Sequence, residues 1–548
     1  MNLSEAERSF YFQQAKYTYL KYSDKCTKFF HSIVKRNTKR NFIAAVLKRD
    51  GSYTSSQKEV ADEFIHVFAD LLEKDSICQP FRAGILDFRA TFPSEHSTSL
   101  IRNVSRLEIK DALFSIGDEK SPGPDGYSSC FFKESWDIVG DDFSDVILEF
   151  FASGSLLKQM NHTVIALIPK ANHASLVGDY RPIACCNVIY KVISNILALG
   201  STLGSIIDHA WVAFVKGRSM VENIQLAQEL LRQYNRKRVT PRCLLKIDLK
   251  KAYDSVSWDF LKNMLGGLNF PTKFMDWIME CLSTPAYFIS LNGGLHGLFK
   301  GRKGLRQGDP LYPFLFVLCL EYFSRMVKGA TENNEFNFHP KCALLKITHL
   351  AFADDLMLFA KGDTTVSILM DCLTNFGNML GLRMNIDESN LYIVGVHAED
   401  MEMIHGIVKI PKGSMPFRYL GIPLATERLK ISTYDTFLDK ITAHIGAWSR
   451  VSLSYAGKLE LVKAVIQGVE CFWLSIFPIP STVASKIISL CQNFLWGSKK
   501  PLVTWRNICL SKGEGVLGLR DIKAWISKTL WNIHCKKDTL WIKWVNQV

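Results

Sequence analysis

The sequence predicts an α+β protein of more than one domain, centred on an antiparallel sheet. Three observations carry this. Short apolar runs of strand character, among them TVIALIPK, YRPIACC and RCLLKID, alternate with longer stretches of helical spacing such as MVENIQLAQELLRQYNRK. The polar loop ANHASLVGD between the first two runs reads as a hairpin connection. The chain has 548 residues, room for about two to four domains with ample core.

Composition narrows the class. A hydrophobic fraction of 47% and a charged fraction of 22% are those of a globular protein and exclude wholesale disorder. The net charge of +13 points to a polyanionic partner, nucleic acid or a membrane surface. The greasiest run, PFLFVLCLEYF from Pro313, breaks at Glu321 and is too short to span a bilayer. MNLSEAERSFYFQQA has no basic segment followed by an apolar core, so no secretory signal is predicted and the expected setting is intracellular. Fourteen cysteines lie scattered without a Cys-x-x-Cys pair, which predicts reduced, mostly buried thiols.

Along the chain, residues 1–90 read as a helical extension, basic and aromatic, with Lys35, Arg36, Lys39 and Arg40 clustered. SPGPDGYSS from Ser121 is a turn cluster ahead of the helical CFFKESWDIVGDDFSDVILEFF. The predicted hairpin of TVIALIPK and YRPIACC carries Lys170 and Arg181, and RCLLKID is an apolar strand ending at Asp248 that leads towards a helix. Residues 430–495 have mainly amphipathic helical spacing, and the last fifty are rich in tryptophan, including Trp525, Trp531, Trp541 and Trp544.

The stretch HLAFADDLMLFA sets two adjacent carboxylates, Asp354 and Asp355, between two greasy runs. Ionised carboxylates away from water must be paired, neutralised or metal-bound. If Asp248 ends a neighbouring strand, three carboxylates converge, an arrangement that suits Mg²⁺ with substrate phosphates completing its shell. Two such ions assist an in-line phosphoryl displacement, so the trio alone fits a phosphatase, a nuclease or a polymerase. GLRQGDPLYPFLFVL narrows the choice: Gly308 permits close backbone approach and Gln307 offers both a donor and an acceptor.

The stretches LLKIDLKKAYDSVSW, GLRQGDPLYPFLF, LAFADDLMLFA, GLRMNIDESN and FRYLGIPL, in this order and spacing, resemble the palm motifs of the reverse transcriptases of plant non-LTR (LINE-type) retrotransposons. SPGPDG, DYRPIACCNVIYK and AFVKGRS upstream and GVLGLRDIKAW downstream extend the likeness over nearly the whole chain. The resemblance implies a right-hand polymerase: fingers and palm over 91–425, a helical thumb over 426–500, and the start of a truncated zinc-binding-type region over 501–548. It implies an RNA-directed DNA polymerase using two Mg²⁺ ions, with Mn²⁺ as a substitute, acting on an RNA template, a DNA primer and dNTPs in the nucleus or cytoplasm, with no membrane partner. Carried over by residue, Asp248, Asp354 and Asp355 match the metal-binding aspartates. Tyr253 matches the aromatic beneath the incoming sugar, and Gln307 and Gly308 the loop along the nascent base pair. Lys170 and Arg181 match the cations gripping the triphosphate, and Tyr419, Leu420 and Gly421 the hairpin supporting the primer end.

Four positions depart from the family pattern. Tyr312 replaces a small serine expected beside the nucleotide pocket, and Glu388 stands where a lysine near the leaving pyrophosphate is expected. Trp211 replaces a glutamine, and LALGSTL lacks an arginine. A Lys-to-Glu exchange near phosphates turns attraction into repulsion. Two readings therefore stand: a polymerase, and a nucleic-acid-binding relic that has lost turnover.

Overall fold

The computed structural model describes residues 35–548 apart from 75–77, 172, 199–202, 235, 237–238, 428, 450–452, 478, 498–502, 511–518, 520–538 and 548. The first 34 residues of the expected N-terminal extension, GVLGLRDIKAW except Leu519, and Trp525 and Trp531 lie outside the described residues. The chain forms two compact units that do not follow linear order. One combines the described residues of Asn41–Arg218 with those of Arg236–Gly413; the other combines the described residues up to Arg40 with those of Ser219–Asn235 and Ser414–Val548.

The larger unit holds two sheets. The first runs in the order β2-β1-β4-β5, with β1 (Thr163–Pro169), β2 (Tyr180–Cys186), β4 (Ala286–Leu291) and β5 (Gly294–Lys300). The β1–β2 hairpin is antiparallel as expected, with Ile168 opposite Arg181, whereas β1 and β4 are parallel. Helix Gln57–Leu72 packs Val60, Phe64 and Phe68 into the core beneath this sheet; Ser56 caps it by accepting the Glu59 N–H.

The second sheet is antiparallel throughout and holds the aspartates. Its central strand β3 (Arg242–Lys250) pairs on one edge with β7 (Asp355–Ala360), and β7 pairs with β6 (His349–Phe352). On the other edge β3 meets β8 (Arg383–Met384) and β9 (Asn390–Val394). Cys243, Leu244, Leu245 and Ile247 are all buried, as a strand covered on both faces requires. Helix Tyr312–Ala330 is buried almost all round from Phe314 to Val327 and forms the unit's spine, with Gly362–Leu380 and Trp258–Gly267 against it.

In the smaller unit β10 (Phe417–Tyr419) and β11 (Ile422–Leu424) form a hairpin whose turn residues Leu420 and Gly421 both have positive φ, 50° and 80°. Helices Asp435–Ser449 and Ser481–Trp496 fulfil the helical expectation for 430–495. The cysteines of the described residues are free thiols. Among the described residues no helix is long and apolar enough to cross a membrane.

Candidate active site

The β-ladder itself brings the acidic residues together. Asp248 and Asp355 stand directly opposite each other on β3 and β7, so both side chains rise from one face of the sheet. Asp354 occupies the tight turn from β6 into β7, entered through Ala353 at φ 54°. Lys246, two residues before Asp248 on the same face, places its ammonium 3.2 Å from the Asp355 carboxylate. Asn385 secures Asp248 twice, its backbone N–H bonding the Asp248 carbonyl at 2.8 Å and its side-chain amide bonding Oδ2 at 3.0 Å. Ser389 Oγ accepts the Asp248 N–H at 3.1 Å.

Like charges opposite each other in a ladder repel. Burial raises the Asp248 carboxyl above the ordinary carboxylate range, and the charges of Glu388, Asp354 and Asp355 add to this against the Asn385 bond. Burial, with the Asp355 charge, likewise raises Asp354, while Arg181 and Lys246 pull it down. Among the described residues no three His, Cys, Asp or Glu side chains are drawn together at ion-holding spacing. Asp355 turns to Lys246 and Asp248 to Asn385. The donor set still fits a hard divalent cation: it is all oxygen, and two carboxyls carry a repulsion that a cation would relieve.

Of the other anticipated residues of this unit, Arg181 and Tyr253 are within electrostatic reach of Asp354. Arg181 is close enough to Asp354 for its charge to act there, and Lys170 acts on Lys251 and the buried Asp254. Burial pushes Asp254 up to about 6 against the pull of those two lysines. Tyr253 is half-buried and stacks on Phe316 with centroids 4.3 Å apart, so its ring is rigidly placed. The Gln307 carbonyl accepts the Ala184 N–H of β2 at 2.8 Å, and Gly308 has φ 103°. A Cβ on Gly308 would stand 3.3 Å from the Ala184 carbonyl oxygen, so the glycine is needed for both backbone angle and approach. Tyr419, Leu420 and Gly421 belong to the other unit, where the Tyr419 side chain is wholly buried and bonds Asn223 Oδ1 at 2.9 Å.

The departures resolve differently. Tyr312 does not stand open beside a nucleotide pocket: it is 1% exposed, and its hydroxyl accepts from Arg306 Nε at 3.0 Å. Trp211 is equally buried, its indole N–H given to Ser324 Oγ at 2.6 Å. Glu388 is exposed, and its charge is felt at Asp248.

Sequence reasoning passed over Lys246, Asn385 and Arg306. All three lie within the quoted motif stretches. The structure buries Arg306, bonded to Asn161 Oδ1 at 2.7 Å, Thr163 Oγ1 at 2.8 Å and the Cys281 carbonyl at 3.1 Å. It thereby anchors the loop that presents Gln307.

Comparison with known proteins agrees with this geometry. A family model described as reverse transcriptase (RNA-dependent DNA polymerase) matches residues 168–424. An uncharacterized 149 kDa protein of transposon TX1 from Xenopus laevis is 23% identical over 509 residues, 91% of this chain and 38% of that protein. The retrovirus-related Pol polyprotein of a type-2 retrotransposable element from Drosophila melanogaster is 26% identical over 356 residues, 63% of this chain and 32% of that one. This chain thus spans about a third of their length. An uncharacterized mitochondrial protein of Arabidopsis thaliana is 34% identical over 111 residues, 19% of this chain and 87% of that protein. The chain carries, over residues 168–424, a reverse transcriptase domain of the kind found in non-LTR retrotransposons.

Proposed function

We propose that the protein is the RNA-directed DNA polymerase of a plant LINE-type retrotransposon, acting in the nucleus or cytoplasm. It extends the 3′-OH of a DNA primer on an RNA template, joining the α-phosphate of a dNTP and releasing pyrophosphate. The observation that supports this most is the opposition of Asp248 and Asp355 across β3 and β7, with Asp354 in the adjoining turn. These three would hold two Mg²⁺ ions, or Mn²⁺ in their place, which when bound supply Lewis acidity at the phosphoryl oxygens and acidify the primer hydroxyl.

The chain's own side chains do the rest. Arg181 and Lys170 take the triphosphate, a fork-shaped guanidinium and a point-charge ammonium, and Arg181 offsets the negative charge gathered at Asp354. Tyr253, fixed by Phe316, sits beneath the sugar and leaves no room for a 2′-OH. The loop of Gln307 and Gly308, tied to β2, lies along the nascent base pair. The turn at Tyr419, Leu420 and Gly421 supports the primer end, with the backbone exposed and the tyrosine ring serving as its root. The relic reading loses two of its grounds, because Tyr312 and Trp211 fill the core with their polar tips bonded.

Primer extension on an RNA template with purified protein, dNTPs and Mg²⁺ tests the proposal, with Asp354→Asn as control. Extension by the wild type that the variant lacks is expected. Duplex binding by both with extension by neither would leave the relic.

A further inference from the structure

β6 is the outer strand of the sheet that carries the aspartates, so its free edge needs a partner. Residues 210–212 supply one. The Ala351 N–H donates to the Ala210 carbonyl at 3.0 Å and the Val212 N–H donates to the Ala351 carbonyl at 3.4 Å, forming a parallel bridge between Trp211 and Ala351. This clasp holds the strand three residues before Asp354. The strap is tied down in turn: Arg218 donates to the carbonyls of Ile207, Asp208 and Trp211. The Asp208 carboxylate accepts from the Ala210 N–H at 2.8 Å and from Arg89 at 2.5 Å.

Side chains link the strap to the spine helix and back to β6. The indole N–H of Trp211 can only donate, so Ser324 Oγ accepts it at 2.6 Å. We assign the serine hydrogen to His349 Nε2, 2.9 Å away, which makes that nitrogen the acceptor. The imidazole proton accordingly sits on Nδ1 and is given to Thr348 Oγ1 at 2.9 Å. His349 is the first residue of β6, and its ring packs between Trp211 and Phe323 with centroids 5.7 and 5.6 Å away. Burial pushes His349 down to about 4; Asp208 acts against this and Arg89 with it, so the ring is neutral at physiological pH.

We propose that the strap 208–212, pinned by Trp211 through Ser324 and His349, sets the position of the β6–β7 turn and makes Trp211 and Ser324 positioning residues for Asp354. The inference rests on the role proposed above for Asp354. It also gives the departure at 211 a purpose: the indole reaches from the sheet edge to the spine helix.

Trp211→Phe removes the N–H and keeps a ring; Ser324→Ala removes the link, and Ser324→Thr restores a hydroxyl. Amide exchange at Ala351 should quicken about tenfold in the first two variants, as for loss of one buried hydrogen bond, and return towards wild type in Ser324→Thr. Imidazole ¹⁵N shifts of His349 should show a bare Nε2 in wild type and a mixed tautomer in Ser324→Ala. Mn²⁺ titrated calorimetrically should bind several-fold more weakly, and kcat for extension should fall about tenfold with KM for primer–template unchanged. Exchange at Ala351 and Mn²⁺ affinity within twofold of wild type in both variants would overturn the proposal. If Trp211→Phe does not fold, the Ser324 pair decides alone. Asp354→Asn binding Mn²⁺ as tightly as wild type would sink the polymerase reading instead, and exchange at Ala351 would still decide the strap.

Discussion

Ionised Asp354 costs the folded chain stability. Its carboxyl is raised in the folded chain relative to an ordinary value of 3.8, so the native state holds the proton more tightly than the unfolded one. That stabilisation is complete below the unfolded value and is lost as pH rises through the folded one. At neutral pH the ionised Asp354 is therefore a burden, and Asp354→Asn should stabilise the protein by about 1 kcal/mol in chemical denaturation without divalent cations. The gain should shrink towards pH 4, and Mg²⁺ should stabilise the wild type alone. A less stable variant at pH 7 would contradict the electrostatic account. Glu388 adds to the same burden through Asp248. Glu388→Lys should raise the extension rate by roughly tenfold for each 1.4 kcal/mol of recovered transition-state stabilisation, with nucleic-acid affinity little changed. Equal rates would make the charge reversal harmless.

At the scale of the element, the loop 304–309 and the helix after it act as one part. Arg306 is tied to β1 and to the Tyr312 hydroxyl, while the Gln307 carbonyl is tied to β2 and Gly308 lies close against it. Tyr312→Ser, which would restore the serine of the family pattern, should not open a pocket; it should leave a core cavity and destabilise by about 3–5 kcal/mol. Tyr312→Phe leaves one Arg306 donor unpaired at about 1–3 kcal/mol. Thermal unfolding of both variants checks this, and a Tyr312→Ser protein that is stable and more active would refute it. Gly308→Ala should raise KM for dNTP far more than it lowers stability, because its Cβ pushes the loop off β2. The strands of this region were legible because RCLLKID and HLAFADDLMLFA carry a buried-strand pattern. Tyr312 was not, because a motif position says which residue is unusual and nothing of the direction its side chain takes. Asn385 and Lys246 were hidden for a related reason: their roles exist only once β8 and β7 lie beside β3.

For the whole molecule, periodicity cannot report which segments far apart in sequence join one unit. Helix Met220–Leu231 lies within the stretch read as fingers and palm, yet it packs with β11 in the smaller unit, where Gln228 bonds Ala425 and Asn223 bonds Tyr419. Net charge is a property the sequence does report in full, and it yields the last prediction. A chain of +13 that follows a duplex must set cations along phosphates, and each neutralised phosphate releases condensed counterions. Log K should then fall by about 0.9 per contacted phosphate for each tenfold rise in salt on a B-form duplex. If about six to ten phosphates are held, affinity should drop by roughly 10³–10⁵ between 50 and 200 mM salt. Fluorescence anisotropy with a labelled primer–template duplex measures the slope. Asp354→Asn should shift the intercept little and leave the slope alone. A slope near zero would mean that the positive charge does not lie along the nucleic acid, whatever the aspartates do.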